Sequence, residues 1–264
     1  MTNVIDREVT TPRRSAPGRM WTVLGIVLIV GLAIAWWSVG LFEGETTTES
    51  DQFVITEAIS SIEVHSDAGN ITVTGSDATE TSYVQTVRAG RSQPEVSRTV
   101  RGGTLVLEAD CPMLSARCSV DFEISAPRGV AVDLSTSAGN INVDRLGGEV
   151  VADTSAGNVI LFGLTGAARV ETSAGNVEGV SLETRRIEAS SSAGNIDLGF
   201  EREIEYVEAT TSAGNVRIAV PGGPYDVDAD SSIGEVTVGI PTDASADARI
   251  VAETSAGSVT IVAR

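Results

Sequence analysis

The five residues TSAGN occur at Thr136–Asn140, Thr154–Asn158, Thr172–Asn176 and Thr211–Asn215, and SSAGN stands at Ser191–Asn195. An active-site loop is normally written once, whereas a pentapeptide written repeatedly at near-constant spacing belongs to a series of similar turns. The glycines of the motif and its diverged copies fall at Gly69, Gly139, Gly157, Gly175, Gly194, Gly214, Gly234 and Gly257. From Gly139 onward their spacings are 18, 18, 19, 20, 20 and 23 residues. A period near 20 is the mark of a solenoid, in which each unit buries its apolar face only by stacking on its neighbours.

The flanks of each glycine alternate with period two. Seven residues before it stand Ile62, Val132, Val150, Ala168, Ile187, Val207, Val227 and Ile250, and five before it a further aliphatic residue, with mostly polar residues such as His65, Asp153 and Glu171 between that residue and the corner. After the Asn, pairs such as Ile71/Val73, Ile141/Val143, Val159/Leu161 and Val216/Ile218 alternate again, while the copy after Asn176 places Gly179 where the second aliphatic residue belongs. Such alternation predicts strands with one buried face. Between them glycine, free to take positive φ, permits a corner. The predicted fold is all-β, a parallel β-solenoid (β-helix) with ~18–20-residue coils, stacked about 4.8 Å apart. Asn140, Asn158, Asn176, Asn195 and Asn215 then align into an amide ladder. Ile233 and Glu235 in the seventh copy and Ser258 in the last are expected to interrupt it.

Residues 53–130 fit the pattern less well and are expected to form an N-terminal β region that caps the stack, ahead of regular repeats over 131–264. At the other end SVTIVAR closes the chain on a strand. That predicts an unpaired C-terminal edge, or one covered by a partner or by self-association.

Ahead of the repeats, residues 20–42 carry no charge. As a helix this run reaches about 34 Å, enough to cross a membrane. Arg13, Arg14 and Arg19 precede it and Glu43, Glu45, Glu49 and Asp51 follow it. The positive-inside rule makes 1–19 a cytoplasmic tail and 20–42 a single-pass anchor, with 43–52 a linker and the remainder extracytoplasmic. A cleaved signal peptide, with Ala33-Ile34-Ala35 as the small-x-small site, is the rival reading; both export the bulk of the chain. In an exported chain Cys111 and Cys118, in CPMLSARC, form a local disulfide.

Setting aside Asp6, Arg7, Glu8, Arg13, Arg14 and Arg19 leaves 34 acidic residues against 14 arginines. Such a surface repels nucleic acid. His65 is the only histidine, and its register turns it outward, so neither a multi-histidine metal site nor a histidine general base is expected. The Gly-rich corners lead into strands rather than helices, which excludes a phosphate-cradling loop. No catalytic, cofactor or metal residue set is assigned and an enzyme is not expected, although Glu188, Glu208 and Asp228 fall in one register and could recruit a divalent cation.

The recurring T-S-A-G-N-[VI]-x-[VIL] unit behind one membrane segment and an irregular first third resembles a bacterial β-strand-repeat family of unknown function, labelled "putative adhesin", over roughly residues 53–264. The resemblance implies a parallel β-solenoid on the outer face of a bacterial membrane, and it brings no catalytic residues. The expected role is an adhesin-like or structural interaction module that contacts a protein, glycan or cell-wall polymer. An envelope-stress or signalling component with the same fold is the alternative, followed by a glycan-active enzyme.

Overall fold

The alternation on either side of each corner becomes two strands per coil in the computed structural model, which describes residues 47–90, 92–112 and 117–264. In chain order the first strands are β1 (Thr47–Ile55), β2 (Ser61–Ala68), β3 (Ile71–Ser76), β4 (Thr81–Ala89), β5 (Glu95–Arg101), β6 (Thr104–Asp110) and β7 (Ser119–Pro127). Next come β8 (Ala131–Ala138), β9 (Ile141–Asp144), β10 (Val150–Ala156), β11 (Val159–Phe162), β12 (Ala168–Ala174), β13 (Val177–Leu182), β14 (Arg186–Ala193) and β15 (Ile196–Phe200). The last are β16 (Tyr206–Ala213), β17 (Val216–Val220), β18 (Asp226–Ile233), β19 (Val236–Gly239), β20 (Arg249–Ala256) and β21 (Val259–Ala263).

Strands that precede a corner form a ten-stranded sheet in the order β18-β20-β16-β14-β12-β10-β8-β2-β6-β5. Strands that follow one form an eleven-stranded sheet, β1-β4-β7-β3-β9-β11-β13-β15-β17-β21-β19. Pairing from coil to coil is parallel and in register, as in Val150↔Ala168 and Val159↔Val177. Equivalent side chains therefore pile into columns. Val150, Val159, Leu161 and, from the return turn, Leu164 are fully buried in one coil. At about 1.5–3 kcal/mol for each fully buried aliphatic side chain, this repeated burial is the main force holding coil on coil.

Gly179 shows how the stack mends a gap. A bulge between Gly179 and Leu182, with Ser181 at φ 50°, turns Leu182 inward. A Cβ on Gly179 would lie 2.6 Å from Leu182 Cδ1, so Leu182 fills the slot that the glycine leaves and is itself fully buried.

Spatial order departs from chain order at both ends. The β6–β7 coil lies outside β2–β3, and residues 61–127 already belong to the same two sheets as the later repeats, so residue 130 marks no structural boundary. Beyond this coil the cap is antiparallel: β4 on β7, β1 on β4, and β5 on β6. There Phe53 stacks on Tyr83 at 4.9 Å, and the Arg98 guanidinium lies 4.9 Å from the Phe53 ring centroid. Thr47–Gln52, expected as linker, are the first part of β1. Their alternation is illegible because both faces of that edge strand are largely exposed and polar.

At the far end the expected C-terminal edge is corrected. The last coil of the chain, β20–β21, is inserted between β16–β17 and β18–β19, so the seventh copy closes the stack. The reason is chemical. The last copy carries Ile250, Val259 and Ile261, all fully buried, whereas β18 carries Asp226, Asp228 and Asp230, which suit an edge. Residues 240–248 are the connection that steps back one coil. The anchor expected over 20–42 and the tail over 1–19 lie outside the described residues; among the described residues no helix is long and apolar enough to cross a membrane.

Candidate functional site

The corner is built the same way in each coil that carries the glycine. A Cβ on Gly139 would lie 1.9 Å from the Gly69 carbonyl oxygen, and the same approach recurs from Gly157 to Gly139, Gly175 to Gly157, Gly194 to Gly175 and Gly214 to Gly194. It continues with Gly257 on Gly214 and Gly234 on Gly257. Only Gly fits because the next backbone occupies the space of a side chain. Positive φ, the reason expected from sequence, is not the common cause, since Gly139, Gly157 and Gly175 lie outside the left-handed region.

The residues around the glycine satisfy the polar groups that this close approach buries. Thr154 Oγ1 donates to the Gly139 carbonyl at 3.0 Å, as do Thr172 to Gly157, Ser191 to Gly175 and Thr211 to Gly194 at the same distance. The ladder of Asn140, Asn158, Asn176, Asn195 and Asn215 runs from backbone N–H to the preceding side-chain Oδ1 at 2.8–3.0 Å. Direct amide–amide bonds join only some rungs, such as Asn215 to Asn195 at 3.2 Å. Asn70 begins the Asn series, and its own N–H donates to Asp121 Oδ1 at 2.8 Å. Asp121 is a ladder residue that sequence reasoning missed; the signal was DFEI, which mimics the N-[VI]-x-[VIL] of the other coils, and Arg88 pairs with its free oxygen. The ladder shortens at the far end rather than stopping at once: Ser258 N–H donates to Asn215 Oδ1 at 2.9 Å and Glu235 N–H to Ser258 Oγ at 3.4 Å.

Outside the core, the ten-stranded sheet presents ranks of Ser, Thr and acids. Glu188 and Glu208 are register neighbours, but Val251 separates Glu208 from Asp228, because β20 lies between β16 and β18. Glu188 pairs with Arg169 at 2.8 Å, Tyr206 donates to Glu208 at 2.6 Å, and Arg249 holds Asp226 and Asp228 at 3.1 and 3.2 Å. The expected three-coil acidic column is thus broken and its members paired; among the described residues no cluster has the makings of a metal site. Asp153 stands next to Glu171 in register, and burial, then Glu171, then Asp133 push its carboxyl above the ordinary aspartate range. Glu253 lies beside Asp230. At that end Ser190, Thr210, Ser212, Ser232, Asp230 and Glu253 line an open trough of about 390 Å³.

The outer face of the eleven-stranded sheet is different. Ile160, Phe162 and Val180 are exposed there, at 39%, 44% and 36%. Along the return turns, Glu183–Arg202, Arg185–Glu205 and Arg264–Glu201 form ion pairs at 2.6–2.9 Å. Each such exposed pair is worth at most about 1 kcal/mol. His65 is exposed on the ten-stranded sheet, in register between Glu108 and Ser135. Cys111 and Cys118 form a disulfide with Cα atoms 5.8 Å apart, joining β6 to β7 across the place where the other coils carry the glycine corner.

Two in-register sheets, parallel through the coils and capped by antiparallel strands at one end, define this protein as a β-solenoid. The chain belongs to the toastrack family DUF4097, whose profile matches residues 56–263. A "putative adhesin" from Bacteroides fragilis shares the fold, with a TM-score of 0.53 at 17% identity over 83% of this chain and 97% of that one. A "putative adhesin" and a "putative lipid binding protein", both from Parabacteroides distasonis, each match at a TM-score of 0.41, with 13% and 14% identity, over 83% of this chain and 98% of theirs. No curated protein is similar to the chain.

Proposed function

We propose that this protein is an adhesin-like interaction module of the bacterial envelope, held by residues 20–42 as a single-pass anchor with the solenoid outside the cytoplasm. The uncharged run, the arginines before it and the acids after it support that orientation. The Cys111–Cys118 bridge suits an oxidising compartment.

The observation that carries the binding role is the trough on the ten-stranded sheet. Its hydroxyls are set on rigid strands at the regular inter-strand spacing, and its two carboxylates add strong acceptors. Such a surface matches a polymer with many hydroxyl groups, and the reading assigns it an envelope polysaccharide. Rigid presentation limits the ordering cost of binding. The test is co-sedimentation of the full-length protein, in detergent micelles, with purified cell-wall polysaccharide. Thr210→Arg and Ser212→Arg, which fill the trough without touching the core, should abolish retention. Absence of retention, or retention that both variants leave unchanged, contradicts the reading.

A further inference from the structure

The two ends of the stack are finished differently. At one end the antiparallel strands β1, β4 and β5 cover the core. At the other, β18 and β19 are the last strands of their sheets. Val236 and Val238 occupy the register of Val259 and Ile261, which are fully buried, yet they are 40% and 37% exposed. Ile233 is 74% exposed. Residues 240–243 cover the start of this end: Ile240 is buried, and Pro241 and Asp243 pair with Tyr225 just ahead of β18. Among the described residues the end therefore presents two strand edges and part of the core's cross-section without a covering strand, a surface that proteins ordinarily protect.

Charge identifies what fits there. Residues 218–248 contain Asp226, Asp228, Asp230, Glu235, Asp243 and Asp247 and no basic residue. On the inner side of β18, Arg249 of the adjacent strand satisfies Asp226 and Asp228. Asp230 is left beside Glu253, a like-charge pair. We propose that the β18–β19 end is a docking edge for a basic extended segment of a partner protein, which pairs its main chain with β18. Its apolar residues extend the core over Val227 and Ala229, and its arginines or lysines lie beside Asp228 and Asp230. This is strand addition, in which main-chain bonds give affinity and alternate side chains give specificity.

A second copy fits less well. Two β18 edges paired about a two-fold axis with their apolar faces inward set Asp against Asp in every register that pairs most of the strand. Head-to-tail stacking brings the acidic end against edge strands carrying Glu49, Asp51 and Glu95, set against Arg101. Arg98 is committed to the Phe53 ring.

The experiment uses the full-length protein in micelles and a fluorescent eight-residue peptide alternating Arg with Val, Ala or Thr. A scrambled peptide and one N-methylated along one edge are the controls. Saturable binding of the alternating peptide alone is expected, with slowed amide exchange in 226–233. Combining Asp228→Asn with Asp230→Asn should weaken it about tenfold. No binding, or equal binding of the N-methylated or scrambled peptide, overturns the proposal. So does a dimer in which the β18 amides are already protected without peptide. Asp230 also lines the trough, so the N-methylated peptide and amide exchange in 226–233, which report pairing along the β18 edge alone, keep this test separate from that of the polysaccharide reading.

Discussion

Gly175→Ala adds one methyl group in the middle of the stack. It meets the Gly157 carbonyl oxygen at 1.9 Å and its carbon at 2.5 Å, distances that real Cβ atoms do not tolerate. The two corners must separate by more than about 1 Å, since backbone cannot swing aside as a long side chain can. Three hydrogen bonds cross that gap: Gly157 N–H to the Ala174 carbonyl at 3.1 Å, Thr172 Oγ1 to the Gly157 carbonyl at 3.0 Å, and Asn176 N–H to Asn158 Oδ1 at 2.8 Å. At about 1 kcal/mol net each, their loss costs about 3 kcal/mol. Overpacking strain adds about 1–3 kcal/mol. The expected destabilisation is about 4–6 kcal/mol, a large part of the ~5–15 kcal/mol available to a typical domain. Two controls separate sterics from dihedral strain. Gly222→Ala meets nothing within 4 Å and should change stability by less than about 0.5 kcal/mol. Gly102→Ala, at φ +60° with nothing within 4 Å, should cost about 1–2 kcal/mol from its dihedral alone. Urea unfolding of the three variants, followed by far-UV circular dichroism, gives the comparison. A Gly175→Ala midpoint equal to that of Gly222→Ala refutes the close-stacking argument.

Other outcomes follow from the same columns. Asn158→Ala removes the acceptor of Asn176 N–H and should lower stability by about 1 kcal/mol, while Asn158→Asp, which copies the Asp121 arrangement, should cost less in the same unfolding assay. Thr172→Val leaves the Gly157 carbonyl without its buried hydroxyl donor and should cost about 1–3 kcal/mol, more than Thr172→Ser. Reducing the Cys111–Cys118 bridge opens a short loop and should lower stability by about 2–3 kcal/mol in the chain-entropy account, measured by unfolding with and without reductant. Asp153 has a raised carboxyl pKa when folded, so its charge opposes folding at neutral pH, and the penalty fades as pH falls through the folded value to below the ordinary aspartate range. Asp153→Asn should therefore stabilise the protein at pH 7 and lose that advantage in acid; equal effects at both pH values contradict this assignment.

The motif made the coil legible because each of its residues has one repeated task. Thr, Gly and Asn satisfy or permit the same close approach in coil after coil, and the aliphatic positions follow the pleat. Order within the stack was not legible, since spacing along a chain does not say whether a coil is laid on top of the last or slipped beneath it. Spacing alone therefore puts the open edge at Ser258–Arg264 and makes neighbours of Glu188, Glu208 and Asp228. The first part of β1 is not legible because an exposed polar edge strand carries no alternation. The trough residues were visible only as polar positions; their convergence depends on β18 and β20 changing places.

That exchange offers the most direct test of the stacked architecture. Facing positions in adjacent coils lie about 4.8 Å apart, within disulfide reach, whereas positions two coils apart lie near 10 Å, beyond it. In the full-length protein, Asn215→Cys with Ser258→Cys should oxidise to a cross-link identified by mass spectrometry, as should Asn158→Cys with Asn176→Cys. Asn215→Cys with Glu235→Cys should stay reduced. Cross-linking of 215 to 235 without 215 to 258 would show coils stacked in chain order, and failure of 158 to 176 would show that the corners share no column.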